Sequence, residues 1–268
     1  MGQKLKNAPV FFTIGQVQHN PLLSLGSYIP QIQERMRLAG YPGFEQSTQV
    51  RVAIKAAPEN PEENGLAPSL QKHDSYVFTD LDGVNTFILQ ANSISFQTTA
   101  YDCFEAFYER FEQGLGLLND VVGGLSFVER LGLRYADAVA PKETEELSQY
   151  LAPHLLGLPA IMEDSSFNYS FAESQLLSED GDQVIARAVI QNGRLGVPPD
   201  IGRDTLKLQS RFEEISGPHA TLDTDGFRVE RRPYEISDVR SRMSVLHELI
   251  ARCFKASVTD YARESWNQ

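Results

Sequence analysis

The sequence predicts an α+β fold: antiparallel sheets with long amphipathic helices, and an echo along the chain that suggests two structurally similar halves. Three observations carry the prediction. Several segments alternate apolar and polar residues over strand lengths, as in Gln49–Lys55, where Val50, Val52 and Ile54 fall in one phase and Arg51 in the other. Other segments repeat apolar residues at helical spacing, most clearly Phe104, Phe107, Tyr108, Phe111, Leu115 and Leu118. Strand-like runs come in hairpins rather than in even alternation with helices, which argues against a doubly wound parallel sheet.

In chain order, Ala8–Val17 reads as a strand that stops at the His19-Asn20-Pro21 turn. A helix follows, with Ser27 as its N-cap, Pro30 in its first turn, Gly40 as its stop, and Ile29, Ile32, Met36 and Ala39 inward. Gln49–Lys55 is a half-buried strand. Residues 57–74 hold Pro58, Pro61, Pro68 and Gly65 without periodicity, and read as a mobile loop. Tyr76–Thr98 reads as two or three antiparallel strands turned at Asp82-Gly83. Thr99 with Asp102 resembles a capping box for the helix that runs to Leu118.

Phe127–Val139 alternates as a strand, and a short acidic helix is expected over 142–151, between Pro141 and Pro153. Phe167–Leu177 and Val184–Gln191 form a second hairpin around Glu179–Asp182. Leu206–Ile215 and Ala220–Val229 read as a further pair of strands, the second interrupted at Asp225-Gly226. Ser237 caps a last helix with Val239, Met243, Leu246, Ile250, Cys253 and Phe254 in its stripe. The division that follows is an N-terminal half over 1–140, a linker over 141–164 and a C-terminal half over 165–268.

A 268-residue chain buries enough surface to need no disulfide or metal staple. The net charge of −12 argues against a general nucleic-acid binder. That charge is concentrated: residues 57–200 carry a net of −16, residues 1–56 a net of +4, and residues 201–268 balance. An acidic middle of this kind serves solubility, or meets a basic partner. Cys103 and Cys253 are far apart and lie in apolar helical patterns, as expected of reduced thiols in a cytoplasmic protein. No apolar stretch has the form of a signal peptide or membrane span, so a cytoplasmic location is expected.

Searching for chemistry mostly excludes. No phosphate-cradling glycine loop, nucleophile elbow or paired-cysteine motif occurs. His247-Glu248 lacks the second histidine of a zinc helix, because Ala251 stands in its place. No cofactor is expected. The acid-glycine clusters at 80–83, 180–182 and 223–226 read as hairpin turns, and Asp223 with Asp225 is the best pair for a divalent metal ion if one binds.

Arginines say more. Arg51 and Arg134 sit mid-strand among apolar neighbours, where a charge needs a counterpart, and with Tyr135 they are candidates for holding an anion or small ligand. Arg228, Arg231, Arg232, Arg240 and Arg242 form a denser patch, a candidate partner-binding surface. Its counterpart is an acidic protein, a nucleic-acid backbone or, as favoured here, the chain's own acidic middle.

Several motifs carry a whole-chain resemblance: Asn7-Ala8-Pro9-Val10, Asn20-Pro21-Leu22-Leu23, Tyr28-Ile29-Pro30, Gly40-Tyr41-Pro42, Leu131-Gly132-Leu133-Arg134-Tyr135 and Leu246-His247. Together they resemble a sporadically distributed, uncharacterised bacterial protein family of about this length, which has no assigned activity. Ala136-Asp137 departs from it, since isoleucine and asparagine are expected there. The patchy distribution implies an accessory setting such as defence or toxin control. The expected function is therefore a non-catalytic accessory or regulatory protein that binds another protein, with a homodimer compatible. The alternative is an anion-binding enzyme or small-ligand-binding protein with a cleft between its halves.

Overall fold

The computed structural model describes residues 5–54, 68–162, 168–198 and 206–268. The strands are β1 (Val10–His19), β2 (Gly43–Ile54), β3 (Pro68–Thr79), β4 (Asn85–Gln90), β5 (Ser93–Thr98), β6 (Phe127–Val139), β7 (Tyr169–Leu177), β8 (Gln183–Arg194) and β9 (Ser216–Pro233). The helices are α1 (Leu25–Leu38), α2 (Phe104–Val121), α3 (Leu147–Tyr150), α4 (Pro153–Leu156), α5 (Ser210–Glu213), α6 (Ile236–Ser257) and α7 (Asp260–Ser265).

All the strands join one antiparallel sheet in the order β2-β3-β4-β5-β1-β6-β9-β8-β7. The fold is α+β with a large antiparallel sheet. β1 lies between β5 and β6, and β6 then pairs with β9 from Phe127↔Pro233 to Val139↔Ala220. Strands from the first half of the chain thus occupy one side of the sheet and β9, β8 and β7 the other. The β6–β9 ladder is where they meet.

One face is covered by α1, α2 and α6. Their buried residues, among them Ile32, Met36, Phe107, Phe111, Leu115, Met243 and Leu246, pack on Val17, Phe87, Leu89, Phe96, Leu131 and Leu133. Each such side chain contributes roughly 1.5–3 kcal/mol on burial. A second cluster joins Val139, Leu222 and Ile190 to Tyr150, Val258 and Ala262, which fixes α3 and α7 to the sheet. On the opposite face, Phe11, Phe12, Ala136, Ala138 and Phe212 form a smaller cluster with Leu206, Leu208 and Ile215. That cluster corrects one expectation: residues 206–215 cross the sheet as a cover containing α5, and their apolar residues point down onto it rather than alternating in a strand.

Other expectations shift with their causes. α1 begins at Leu25, because Leu25 and Ile29 are both buried, and Pro30 lies inside the helix rather than in its first turn. Ser27 donates to the Ser24 carbonyl at 2.8 Å instead of capping. The Thr99 hydroxyl donates to the Lys207 carbonyl at 2.5 Å, so it is unused for α2, whose N-cap is Cys103. α6 starts at Ile236, ahead of Ser237, with Glu235 at its N-cap. Of the expected 57–74 loop, residues 68–74 belong to β3, where Pro68 stands at the first strand position that proline tolerates. The rest of that loop, 57–67, and Phe167 lie outside the described residues.

β9 runs straight through Asp225-Gly226, expected as an interruption. A Cβ at Gly226 would lie 3.0 Å from Ile250 Cδ1, so the glycine serves the close approach of α6 to the strand. The other two acid-glycine clusters are turns, with Gly83 at φ 71° and Gly181 at φ 90°.

Candidate functional site

Adjacent residues in a strand point to opposite faces, and this divides the predicted ligand set. On β6, Arg130 and Arg134 face away from α1, α2 and α6, while Leu131, Leu133, Tyr135 and Asp137 face toward them. Arg134 and Tyr135 therefore do not line one cleft. Arg51 lies opposite Gln71 in the β2–β3 ladder, and its side chain is outside the described residues.

Arg134 is held by Asp223 through two hydrogen bonds, Nε to Oδ1 at 2.6 Å and Nη2 to Oδ2 at 2.8 Å. Arg187 on β8 reaches the same carboxylate at 3.3 Å and donates to Glu173 on β7 at 2.7 Å. Arg130 faces Asp225 at 3.8 Å, donates to Gln16 at 3.1 Å and lies over the Phe227 ring. The result is a charge ladder across β6, β9, β8 and β7, with cation and anion matched. Asp223 and Asp225, the metal candidates, both face guanidinium groups. Among the described residues, no group of three or more histidines, cysteines or acids could hold a metal ion.

The arginine patch is divided as well. Arg228 pairs with Asp182 and Glu230, Arg232 and Arg242 with Glu230, Arg242 also with Asp238, Arg231 with Glu129 and Arg240 with Glu112. Asp182, Glu129 and Glu112 come from the acidic middle. Arg228, Arg232 and Arg242 thus gather on Glu230, while Arg231 covers the Phe127 ring and Arg240 the Tyr108 ring, each at a contact of its own.

A buried polar cluster lies beneath α2 and α6, and sequence reasoning reached only Tyr135 of it. The Tyr135 hydroxyl donates to that of Tyr101 at 3.2 Å, and His247 Nδ1 lies 3.2 Å from the same oxygen. Phe104 stacks on His247, centroids 4.4 Å apart. Burial raises the pKa of both tyrosines and lowers that of His247, so each is held neutral. Asp137, two residues along the same phase, is 4% exposed and makes no side-chain hydrogen bond among the described residues. Burial, and then the charge of Asp223, push its pKa to about 8. The signal was present: continuing the phase Leu131-Leu133-Tyr135 places an acid on the inward face. Cys103 and Cys253 are free and half-buried.

β7 ends the sheet, and its outer edge pairs with no other described strand. Residues 169, 171, 173, 175 and 177 share the face of the charge ladder, because Glu173 reaches Arg187 there. Within that phase Tyr169, Phe171 and Leu177 are 68%, 53% and 73% exposed. The strand contains neither proline nor lysine, the residues that commonly protect an edge.

No protein-family model and no curated protein matches the chain. No described helix is long and apolar enough to cross a membrane.

Proposed function

We propose that this protein is a non-catalytic accessory protein that binds another protein by receiving an extended segment along the free edge of β7. The supporting observation is an edge that pairs with no other described strand, combined with exposed Tyr169, Phe171 and Leu177 on that strand. Backbone hydrogen bonds would supply affinity, and apolar side chains at alternate positions of the incoming strand would meet the aromatic stripe. A cytoplasmic location, a defence or toxin-control setting and membership of the sporadically distributed bacterial family belong to the same reading and rest on the sequence.

Two structurally similar halves are also part of it. If the division is placed ahead of β6 rather than at residue 140, each half has a first strand that pairs with its own last strand and a helix that closes the unit: β1 with β5 and then α2, β6 with β9 and then α6. The sheet order is consistent with a pseudo-twofold between β1 and β6.

The test compares tagged wild-type chain with Phe171→Lys in pull-downs from the native host. A stoichiometric protein retained by the wild type and lost by the variant supports the reading. Identical retention by both sinks it. Retention of a second copy of this chain alone would replace the foreign partner with a homodimer.

A second reading, the small-ligand protein with a cleft between its halves, is favoured by the cluster around Tyr135. Tyr101 and Phe104 come from the first half and His247 from the second; Tyr101 and His247 both meet Tyr135, and two residues along the same strand Asp137 is a buried carboxyl with no side-chain hydrogen bond among the described residues. Metabolite screening by thermal shift on wild type and Asp137→Asn separates this reading from the first.

A further inference from the structure

α1 and α2 lie side by side, and between them runs an open groove of about 600 Å³. Leu38, Ala39, Gly116 and Leu117 supply its apolar lining, with Leu38 70% exposed. Glu109, Glu112 and Asp120 stand along it against a single cation, Arg35. Arg35 reaches Asp120 at 3.5 Å and Glu112 is paired with Arg240, while Glu109 makes no ion pair among the described residues.

Gly116 is the residue that the fold does not account for. Glycine inside a helix destabilises it by about 1 kcal/mol relative to alanine. Two residues earlier, Gly114 has a reason: a Cβ there would lie 2.2 Å from Phe87. At Gly116 a Cβ would have nothing within 4 Å, so the missing side chain relieves no contact among the described residues. It widens the groove.

We propose that this groove docks an amphipathic, basic α-helix of a partner protein, its apolar stripe over Gly116 and Leu38 and its lysines or arginines facing Glu109 and Asp120. Both walls are helices whose backbone groups are internally paired, so they offer no edge to an extended strand. The groove is open along its length, which suits a helix rather than an enclosed small molecule. Charge complementarity selects a basic one, since three acids line the groove, Glu109 among them has no ion pair among the described residues, and the chain carries a net of −12. This surface is distinct from β7 and stands or falls separately.

The probe is a fluorescently labelled synthetic helix of leucine and lysine, with leucines at every third and fourth position. A control peptide of the same composition spreads its leucines around all sides. Binding is read by fluorescence anisotropy on wild type, Gly116→Met, Glu109→Lys and Phe171→Lys. Saturable binding of the patterned helix is expected, weakened about tenfold or more (about 1.4 kcal/mol) in Gly116→Met and Glu109→Lys and unchanged in Phe171→Lys. Because Met replaces Gly at an open helical position, the thermal midpoint of Gly116→Met should hold or rise, so a lost signal is not unfolding. Absence of saturable binding overturns the proposal, as does equal affinity for the control peptide. Full affinity in Gly116→Met and Glu109→Lys overturns it too. Loss in Phe171→Lys would move the peptide to the β7 edge.

Discussion

Arg134 and Asp223 are joined side chain to side chain by two hydrogen bonds, although 89 residues separate them in the chain. Asp223 is almost completely buried and also receives Arg187, so one carboxylate balances two guanidinium groups. Asp223→Ala is therefore expected to destabilise the fold by about 3–5 kcal/mol, because it leaves Arg134 buried without this counterion. Arg187→Ala, at a more exposed site, should cost about 1 kcal/mol or less. Urea midpoints at constant slope give both values, and equal effects would contradict the asymmetry.

Asp137 makes stability depend on pH in a defined direction. An unfolded aspartate ionises near ~3.9, whereas the native carboxyl keeps its proton up to about pH 8. Between those values the native state binds the extra proton, so stability falls as pH rises and levels off above about 8. The slope is about 1.4 kcal/mol per pH unit. His19 and His247 act in the opposite sense: burial lowers both, so their contribution is lost as pH falls below about 6.5. Above that value the two histidines no longer oppose the Asp137 slope, and the Asp137→Asn comparison isolates it from Asp225, whose pKa burial also raises. Urea unfolding from neutral to alkaline pH should show it in the wild type and not in Asp137→Asn.

Two glycines in α2 should respond oppositely to the same change. Gly114→Ala forces a Cβ against the Phe87 ring and is expected to cost about 1–3 kcal/mol despite the better helix former. Gly116→Ala meets open space and should gain about 0.5–1 kcal/mol. Thermal melts of the two variants decide, and a shift of the same sign in both would contradict the packing described.

Exposed Phe171 and Leu177 contribute little to folding. Phe171→Lys and Leu177→Lys should stay within about 0.5 kcal/mol of the wild type, while light scattering on heating falls. Unchanged scattering would show that this edge does not drive self-association.

What could be read from the sequence is what local patterning decides. The inward phase of Leu131, Leu133 and Tyr135 and the aromatic stripe of α2 follow from period alone. So does the turn at Asp80–Gly83, where the Asp80 carboxylate accepts the Val84 and Asn85 amides at 3.0 and 3.2 Å. What remained hidden depends on distant contacts. Asp225-Gly226 has the composition of a turn, yet Ile250 from α6 and Arg130 from β6 hold it in a strand. Leu206–Ile215 has strand-like residues but spends them on the sheet's far face. The pairing of Arg134 with Asp223 requires knowing which residues meet across the β6–β9 seam, and the neutrality of Tyr101, Tyr135 and His247 requires knowing that the start of α2 and the middle of α6 close over β6.

The position of that seam bears on how the chain is made. β6 leaves the ribosome long before β9, so the nascent protein carries a thirteen-residue open edge at the middle of its future sheet. Arg130 and Arg134 stand on that edge, and charge in such a place discourages pairing with the wrong strand. Their carboxylate partners on β9 arrive only with the last quarter of the chain. The two arginines thus serve twice: first as guards of an unfinished strand, then as the ion pairs that close it.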